Sequence, residues 1–447
     1  MENLLQQEDQ LKQLVQDILA EAKQQGADQA EVSASIDGGL SVSVRKGELE
    51  SLEFNEDRGF GITLFLGNRK GSASTTDSSP SAIRDTVAAA RRIANYTQDD
   101  VCNGLAPAEL MPQTIEDLNL YHPWAVTPEQ ATAMAIECES AGLTTDERLT
   151  NSDGAQVSTQ QSMRVYGNSH GFVGAYSGTR QGISCVLIAE DDNGMQRDYW
   201  YSVSRDAADL EQASSIGQIA AERTLARLSP RKTPTGTFPI LFSPQMASGL
   251  FGHLIGAISG GALYRRASFL LDSLGTTVLP EWLSLQEEPH LQKALGSANF
   301  DGDGIATRAK AFIESGQVVS YLLSNYSARK LDMAPTGNAG GVHNLKVVGR
   351  ETAAADLLSG MGTGLLVTEL MGQGINGVTG DYSRGAAGFW VENGEVAYPV
   401  AEVTIAGNLL DMYQKVSAIG DDVDQRSNIR APSVLLEGMT IAGDGKI

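Results

Sequence analysis

The chain contains little cysteine and few basic residues, and each shortage excludes a class of protein. The three cysteines, Cys102, Cys138 and Cys185, are odd in number, lie far apart and form no CxxC pair. Neither a disulfide framework nor a zinc knuckle is therefore supported. Lysine and arginine total 33 against 55 aspartates and glutamates, which gives a net charge of −22. Because nucleic acid is bound through basic patches, we expect no nucleic-acid partner.

Long hydrophobic runs are also missing. No apolar run reaches the roughly 18–20 residues that a membrane-spanning helix needs. The first residues, MENLLQQEDQLKQ, lack the basic and apolar regions of a secretory signal. We therefore expect a cytoplasmic location and no membrane partner.

The common hydrolase motifs are absent as well. The chain has no GxSxG, no GxxxxGK[ST] and no HExxH, so a lipase-like serine, a P-loop and a helical zinc site lack support. No histidine lies within six residues of another; the five are His122, His170, His253, His290 and His343. Spacing alone thus disfavours a catalytic zinc ion and favours a packing role for His253.

Two partial motifs each have a plainer interpretation. Three glycines match GxGxxG at Gly372, Gly374 and Gly377. We expect a helix before them and none after them, which is typical of a turn-rich connection and not of a dinucleotide site. Four residues fit the start of a calcium-binding loop: Asn299, Asp301, Asp303 and Gly304. The twelfth position of such a loop is a glutamate that binds the ion, but here it is Lys310. An acidic hairpin turn is therefore favoured.

Strands and helices alternate without βαβ regularity, which predicts the α+β class. An N-terminal mixed region of strands and helices precedes a strand-rich C-terminal domain. The Pro/Thr-rich stretch 227–239 is the best boundary, and we predict units at 1–110, 111–230 and 231–447. Residues 351–371 are predicted to form an apolar helix, whose Gly360, Gly362 and Gly364 permit close packing in the core or between subunits.

The stretch 243–266 predicts one helix with an unusual bare face. Ser243 can cap it, and Pro244 suits its first turn. An apolar stripe faces one way, formed by Leu250, Phe251, Leu254, Ile255 and Ile258. The opposite face carries small residues around one histidine; they are Gly249, His253, Gly256, Ala257 and Gly260. Helical glycine costs roughly 1 kcal/mol relative to alanine, so the pattern indicates that something approaches this helix closely.

The second half of the chain resembles the PmbA/TldE family, the partner subunits of the TldD/TldE peptidases. Three stretches carry the resemblance: GVTGDYSRGAAGFWVENGEVAYPVAEVTIAGNLLDM (377–412), FDGDGIATRAKAFIESGQVVSYLLSNYSARKLDMAPTGNAGG (300–341) and the stretch 243–266. The resemblance implies that the C-terminal domain contains the helix equivalent to the one that carries HExxxH in the TldD branch. In that branch, a distal cysteine completes the zinc site.

This chain departs from that motif at every position. Matching Tyr264-Arg265-Arg266 to the arginine pair that follows HExxxH places the two histidines at Gly252 and Ala257, and the glutamate at His253. No shift by one residue restores the motif, and residues 421–434 contain no cysteine. The chain therefore resembles the TldE branch, whose members lack the metal ligands.

The resemblance implies the non-metal subunit of a heteromeric metallopeptidase that processes small or unfolded peptides, including antibiotic maturation and antitoxin turnover. Zinc is expected in a TldD-like partner and not in this chain, and a homodimer is expected when no partner is present. The candidate peptide-binding residues are His253, Asp301, Asp303 and Arg308, although a solvated hairpin explains the two aspartates as well. The alternatives are an autonomous metallopeptidase that uses His253 with Asp301 or Asp303, and a non-enzymatic binding or structural protein.

Overall fold

The computed structural model describes residues 4–443 and shows two successive runs of helix, three strands and helix. The first run comprises α1 (Glu8–Gln24), β1 (Gln29–Arg45), β2 (Glu48–Leu66), β3 (Arg69–Thr75) and α2 (Pro80–Tyr96). The second comprises α3 (Pro128–Leu143), β4 (Asn151–Asn168), β5 (Val173–Asp191), β6 (Gly194–Ser204) and α4 (Ala213–Ala226).

Both runs contribute to one six-stranded sheet in the order β3-β2-β1-β4-β5-β6. Its centre is the antiparallel pair of β1 and β4. Alternate residues of β1 are buried beneath the helices: Ala30 to Ile36 pack under α1 and α2, and Leu40 to Val44 pack under α3 and α4. Since all four helices lie on this face, the opposite face of the sheet is left for polar residues.

The turn between β1 and β2 is bound by a side chain from the second run. Lys46 and Gly47 both have positive φ, as a tight hairpin turn requires. Their amides donate to the buried carboxylate of Glu139 in α3, at 2.8 and 2.7 Å. The sequence Lys46-Gly47-Glu48 is typical of such a turn.

The rest of the chain forms two further sheets. The elements are β7 (Gly236–Phe242), α5 (Pro244–Ala257), α6 (Gly260–Tyr264), β8 (Ser284–Glu287), β9 (Lys310–Glu314), β10 (Gln317–Val318), α7 (Asn325–Lys330), β11 (Leu345–Val348), β12 (Glu351–Thr352), α8 (Ala354–Met361), β13 (Gly364–Met371), β14 (Asp381–Glu392), β15 (Glu395–Asn408), α9 (Leu409–Gln414), β16 (Val416–Gly420), β17 (Ile429–Arg430) and β18 (Val434–Ala442). The predicted α+β class and strand-rich C-terminal region are confirmed.

The larger C-terminal sheet closes on itself. Its order is β12-β16-β18-β15-β14-β13-β7, and β18 also pairs with β7. Strands β7, β13, β14, β15 and β18 therefore form a closed ring. The smaller sheet has the order β10-β9-β8-β11-β17. Helix α5 follows β7 directly and buries its apolar stripe in the core of this domain.

Two helix predictions were wrong in part. The stretch 243–266 is not one helix, because α5 ends at Ala257 and α6 begins at Gly260. Residues 351–371 contain the short helix α8 and then the strand β13; Gly362, at a φ of 71°, ends the helix and Gly364 begins the strand. Close packing of one long glycine-bearing helix is therefore ruled out there. A strand, and not a helix, also precedes Gly372.

No helix in residues 4–443 is both long and apolar enough to cross a bilayer.

Candidate functional site

Helix α5 presents an open face at the position that the resemblance points to. A methyl group at Gly249 or Gly256 would meet no described atom within 4 Å beyond the helix itself, and one at Gly252 would meet only Ile429 Cδ1 at 3.6 Å. Gly249 and Gly256 therefore face open space, whereas Ala257 is buried and Gly260, at the start of α6, lies close against Ser327. Ser243 does not cap the helix through its side chain, contrary to expectation.

His253 lies half-buried on this face, beside strand β14. Its ring is 6.3 Å from that of Tyr382, in an edge-on arrangement. Burial lowers the pKa of His253, and the nearby charge of Arg384 lowers it further. Burial also raises the pKa of Tyr382 to about 12. The imidazole is therefore neutral at pH 7, next to a neutral phenol and a cation.

This donor set does not fit zinc. A zinc site needs three or four nitrogen, sulfur or carboxylate ligands. Here Gly252 and Ala257 offer no ligand, and the guanidinium of Arg384 repels a cation. Across residues 4–443 no group of three or more His, Cys, Asp or Glu side chains is arranged to hold a metal ion.

Several polar groups near the start of α5 are buried without a hydrogen-bond partner among the described residues; they are Ser243 Oγ, Gln245 Nε2, Thr368 Oγ1 and Arg384 Nε. The amide of Ser243 donates to Val367 at 3.0 Å, which places the helix start beside β13. Each such orphaned group costs about 1–3 kcal/mol. The region around α5 thus has unused hydrogen-bonding capacity.

A cleft of about 870 Å³ lies between the polar face of the six-stranded sheet and the C-terminal domain. Small residues of β1 and β2 line one side of it: Ser33, Ser35, Gly59 and Gly61. Aromatic rings line another side: Tyr166, Tyr176 and Phe300. The Phe300 ring packs edge-on against that of Tyr176 at 5.6 Å. The cleft therefore combines small polar side chains with an aromatic wall, in which Phe300 and Tyr166 are buried and Tyr176 is half-buried.

Asp301 lines this cleft, but its carboxylate is committed to the fold. It accepts from the amides of Asp303 and Ile305 through Oδ1, both at 2.9 Å, and from Ala339 through Oδ2 at 2.8 Å. The residue is only 4 % exposed, so a solvated hairpin is wrong here. Burial raises the pKa of Asp301 to about 7. The carboxylate braces the turn and does not point freely at a ligand.

The other predicted residues lie elsewhere. Asp303 sits in a separate pocket of about 40 Å³ with Glu31 and Lys70, and its Oδ2 accepts from the Asn325 amide at 2.7 Å. Burial raises the pKa of Asp303. Arg308 is exposed and lines neither cavity. The structure therefore does not bring His253, Asp301, Asp303 and Arg308 into one site.

His343 lines the cleft and was not among the residues predicted from the sequence. Its Nδ1 is 3.2 Å from the Gly296 carbonyl, to which it donates. Its Nε2 is buried and has no partner within residues 4–443. Burial lowers the pKa of His343, so the neutral ring presents Nε2 as an acceptor. The flanking Gly340-Gly341 was the only visible signal in the sequence.

The cleft and the open face of α5 are connected through the segment that leads into β17. The side chain of Asn428 donates to the Val342 carbonyl at 3.3 Å, next to His343. The following residue, Ile429, stands over Gly252 of α5. The cleft and the open helix face are therefore neighbouring but distinct parts of the C-terminal domain surface.

Comparison with known families agrees with this architecture of two repeated units and a closed strand ring. Three family models match successive parts of the chain: PmbA/TldA metallopeptidase domain 1 at residues 30–94, the central domain at 121–228, and the C-terminal domain at 235–443. The chain belongs to the PmbA/TldD metallopeptidase family.

Among its relatives, metalloprotease PmbA of Escherichia coli O157:H7 is 50 % identical over 417 residues, which cover 93 % of each chain. The metalloprotease PmbA homolog of Haemophilus influenzae is 46 % identical over 439 residues, covering 98 % of this chain and 97 % of the homolog.

The fold also matches solved structures. A candidate modulator of DNA gyrase from Bacteroides thetaiotaomicron superposes with a TM-score of 0.92 at 29 % identity, covering 97 % of this chain and 99 % of the other. TldE from Thermococcus kodakarensis gives 0.84 at 20 % identity over 96 % and 100 % of the two chains, a likeness of fold alone.

Proposed function

We propose that this chain is the non-metal subunit of a TldD/TldE-type metallopeptidase, as expected for the TldE branch of the family. One observation carries the proposal: the motif-equivalent positions Gly252, His253 and Ala257 supply a single imidazole beside the cation Arg384. Zinc and the glutamate base would then belong to a TldD-like partner. The open face of α5 leaves room for that partner or for its substrate.

The cleft beside the polar sheet face supports a second part of the proposal, which is contact with the peptide. The backbone of β1 at the cleft is paired on both sides, and that of β2 is paired with β3 from Phe60 onward. A peptide in the cleft would therefore bond to the hydroxyls of Ser33 and Ser35, and the half-buried ring of Tyr176 offers surface for an apolar side chain. Small or unfolded peptides fit such a cleft because they can adopt an extended conformation.

Three further expectations remain predictions. These are the division of the chain near residues 110 and 230, the homodimer in the absence of a partner, and the cytoplasmic location. Of the predicted peptide-binding residues, Asp301 lies at the cleft and His253 lies on the neighbouring helix face; their roles with substrate stay proposals.

A mixing experiment tests the proposed function. The chain, a TldD-like subunit with an intact HExxxH motif, and their mixture are each assayed for cleavage of an unstructured peptide and for bound zinc by mass spectrometry. We expect zinc in the partner, a stable complex, and full activity only in the mixture. A partner whose motif glutamate is replaced by glutamine is the control, and its mixture should be inactive.

Two outcomes would contradict the proposal. Stoichiometric zinc and peptidase activity in the isolated chain would favour the autonomous metallopeptidase. Failure of the two chains to associate would favour a binding or structural protein with no peptidase partner.

A further inference from the structure

The first half of β2 has a free edge. Residues 48–58 pair with β1 on one side, whereas β3 pairs only with Phe60 to Leu66 on the other. No other described segment bonds to the backbone of 48–58. Every residue of the stretch except Ser51 is exposed. At about 3.3 Å per residue, this open edge is roughly 36 Å long.

Large apolar side chains lie on this open strand. Leu49, Leu52 and Phe54 are 51, 41 and 62 % exposed. The register sets them opposite Val44, Val42 and Leu40 of β1, which are buried under α3 and α4. Directly paired residues share a face of the sheet. The apolar face of the sheet therefore continues past the helices that cover it and ends uncovered at β2.

The second run of the chain shows what covers the corresponding edge. Strand β6 pairs with β5 only from Gln181 onward, so the first half of β5 would be equally open. There the Thr179 amide donates to the Leu120 carbonyl at 2.9 Å, and Gly174 and Tyr176 pack against Phe300. The linker and the C-terminal domain thus close this edge. The first run has no such cover within residues 4–443.

The charge of residues 48–58 indicates which kind of strand would pair with the open edge. Five acidic residues stand in 48–58 against the single base Arg58; they are Glu48, Glu50, Glu53, Glu56 and Asp57. A second copy of this edge would bring like charges face to face, which is destabilising. A strand that alternates lysine or arginine with apolar residues would match both the carboxylates and the apolar face.

We propose that residues 48–58 form the docking edge for a different polypeptide, which adds a basic strand with one apolar face to the six-stranded sheet. We take that polypeptide to be the metal-bearing subunit, and in this respect the inference rests on the proposed function. The occupant would pair with the first half of β2, whose outer edge has no strand partner within residues 4–443.

The test compares edge variants with matched controls in the binding of the isolated chain to the TldD-like subunit, measured by calorimetry. Glu50→Lys/Glu53→Lys reverses charge on the edge, and Phe54→Ser removes its most exposed apolar group. Glu147→Lys/Asp192→Lys makes the same charge change at exposed sites elsewhere, and Met195→Ser alters a side chain that is 65 % exposed. Thermal unfolding of each isolated variant verifies that it is folded.

We expect each edge variant to weaken binding at least about tenfold, equivalent to about 1.4 kcal/mol, and the controls to change it less than about threefold. Wild-type binding should also weaken as salt increases. Complex formation unchanged by both edge variants would overturn the inference and leave the proposed function intact. Absence of any complex with wild-type chain would overturn both.

Two other occupants give distinguishable results, and either one overturns the inference. If the isolated chain forms a dimer that the edge variants dissociate, a second copy occupies the edge. If the edge variants weaken binding of the unstructured peptide and not of the subunit, the edge belongs to the substrate.

Discussion

The hydroxyl of Tyr413 donates a hydrogen bond of 2.8 Å to the backbone carbonyl of Leu250. Tyr413 belongs to α9 and is fully buried, whereas Leu250 lies in the middle of α5. This bond joins the helix that carries the motif-equivalent positions to the far end of the β15 strand. The position of α5 thus depends on a residue more than 150 positions later in the chain, since 413 − 250 = 163.

Replacing Tyr413 by phenylalanine removes this bond and keeps the shape of the ring. We expect Tyr413→Phe to lower the free energy of unfolding by about 0.5–1.5 kcal/mol, the net value of a typical hydrogen bond. Urea denaturation of the isolated chain measures it. Tyr96→Phe, at a tyrosine that is 91 % exposed, should change nothing. Equal stability of all three proteins would show that the Tyr413 bond contributes no net stability.

Glycine at position 249 is expected to make the isolated chain less stable than alanine would. Because a methyl group there meets open space, Gly249→Ala should stabilise α5 by about 0.5–1 kcal/mol through helix propensity. Gly217, in the middle of α4, is the matched control, because its added Cβ would lie 1.9 Å from the Cys138 carbonyl oxygen. Gly217→Ala should therefore destabilise the chain. Destabilisation by Gly249→Ala, measured by thermal unfolding, would mean that the open face is covered within the chain.

His253 is expected to take no part in the chemistry. A general base contributes about 10²–10⁴-fold to the rate. Because His253 is not expected to act as one, we expect His253→Ala to change kcat of the mixture less than about threefold, while a role in peptide binding would raise KM. The partner's motif glutamate, replaced by glutamine, supplies the comparison and should abolish activity. A loss of a hundredfold or more with His253→Ala, in a complex that still assembles, would place this imidazole at the reacting atoms.

Because of Asp301, the stability of the folded protein should fall as pH rises. Burial raises its pKa to about 7 from the ordinary 3.8, so the folded protein keeps this proton when the unfolded chain has lost it. The resulting stability is complete below about pH 4 and is lost as pH rises through about 7. We expect the stability of wild type relative to Asp301→Asn to fall by at least about 1 kcal/mol over this window.

Urea denaturation at about half-unit steps of pH measures this difference, since each titrating carboxyl changes the slope of stability with pH. A constant offset is also expected, because an amide cannot accept all three backbone N–H bonds that Asp301 receives. The exposed Asp192→Asn is the control and should run parallel to wild type. Parallel curves for Asp301→Asn and wild type would show that Asp301 does not titrate in this range.

Local patterns in the sequence predicted a good part of this fold. Leu40, Val42 and Val44 alternate with polar residues, which is typical of a half-buried strand. Thr127 and Gln130 have capping-box spacing at the start of α3, where both side-chain bonds are present. The absence of a helix after Gly377 was also predicted correctly. These features depend on neighbours in sequence, which is why pattern alone suffices.

The errors arose where a local pattern is ambiguous. The apolar stretch 351–371 fits a buried helix or a buried strand equally well by periodicity, and the positive φ of Gly362 separates the two. The break after Ala257 is similar, because the amide of Gly260 bonds to Leu322, a partner that sequence spacing does not reveal.

The cleft could not be predicted at all. It brings together β1, β2, β4, the turn at Asp301 and the loop before His343, which are separated by up to 310 residues, since 343 − 33 = 310. The buried state of Asp301 follows from the same long-range packing. The sequence FDGDG alone predicts an acidic turn, but it does not show which side of the turn faces water.

The closed strand ring also determines when α5 can become stable during synthesis. Strand β7, which leads into α5, pairs with β18, and the pair Phe242 with Val434 spans 192 residues, since 434 − 242 = 192. At about 5–20 residues per second, a ribosome takes roughly 10 to 40 s to make that interval. Until its last strand emerges, the domain cannot close, and the nascent chain carries β7 with one edge unpaired. Deletion of β18 would leave every newly made copy in that unfinished state and expose it to proteases.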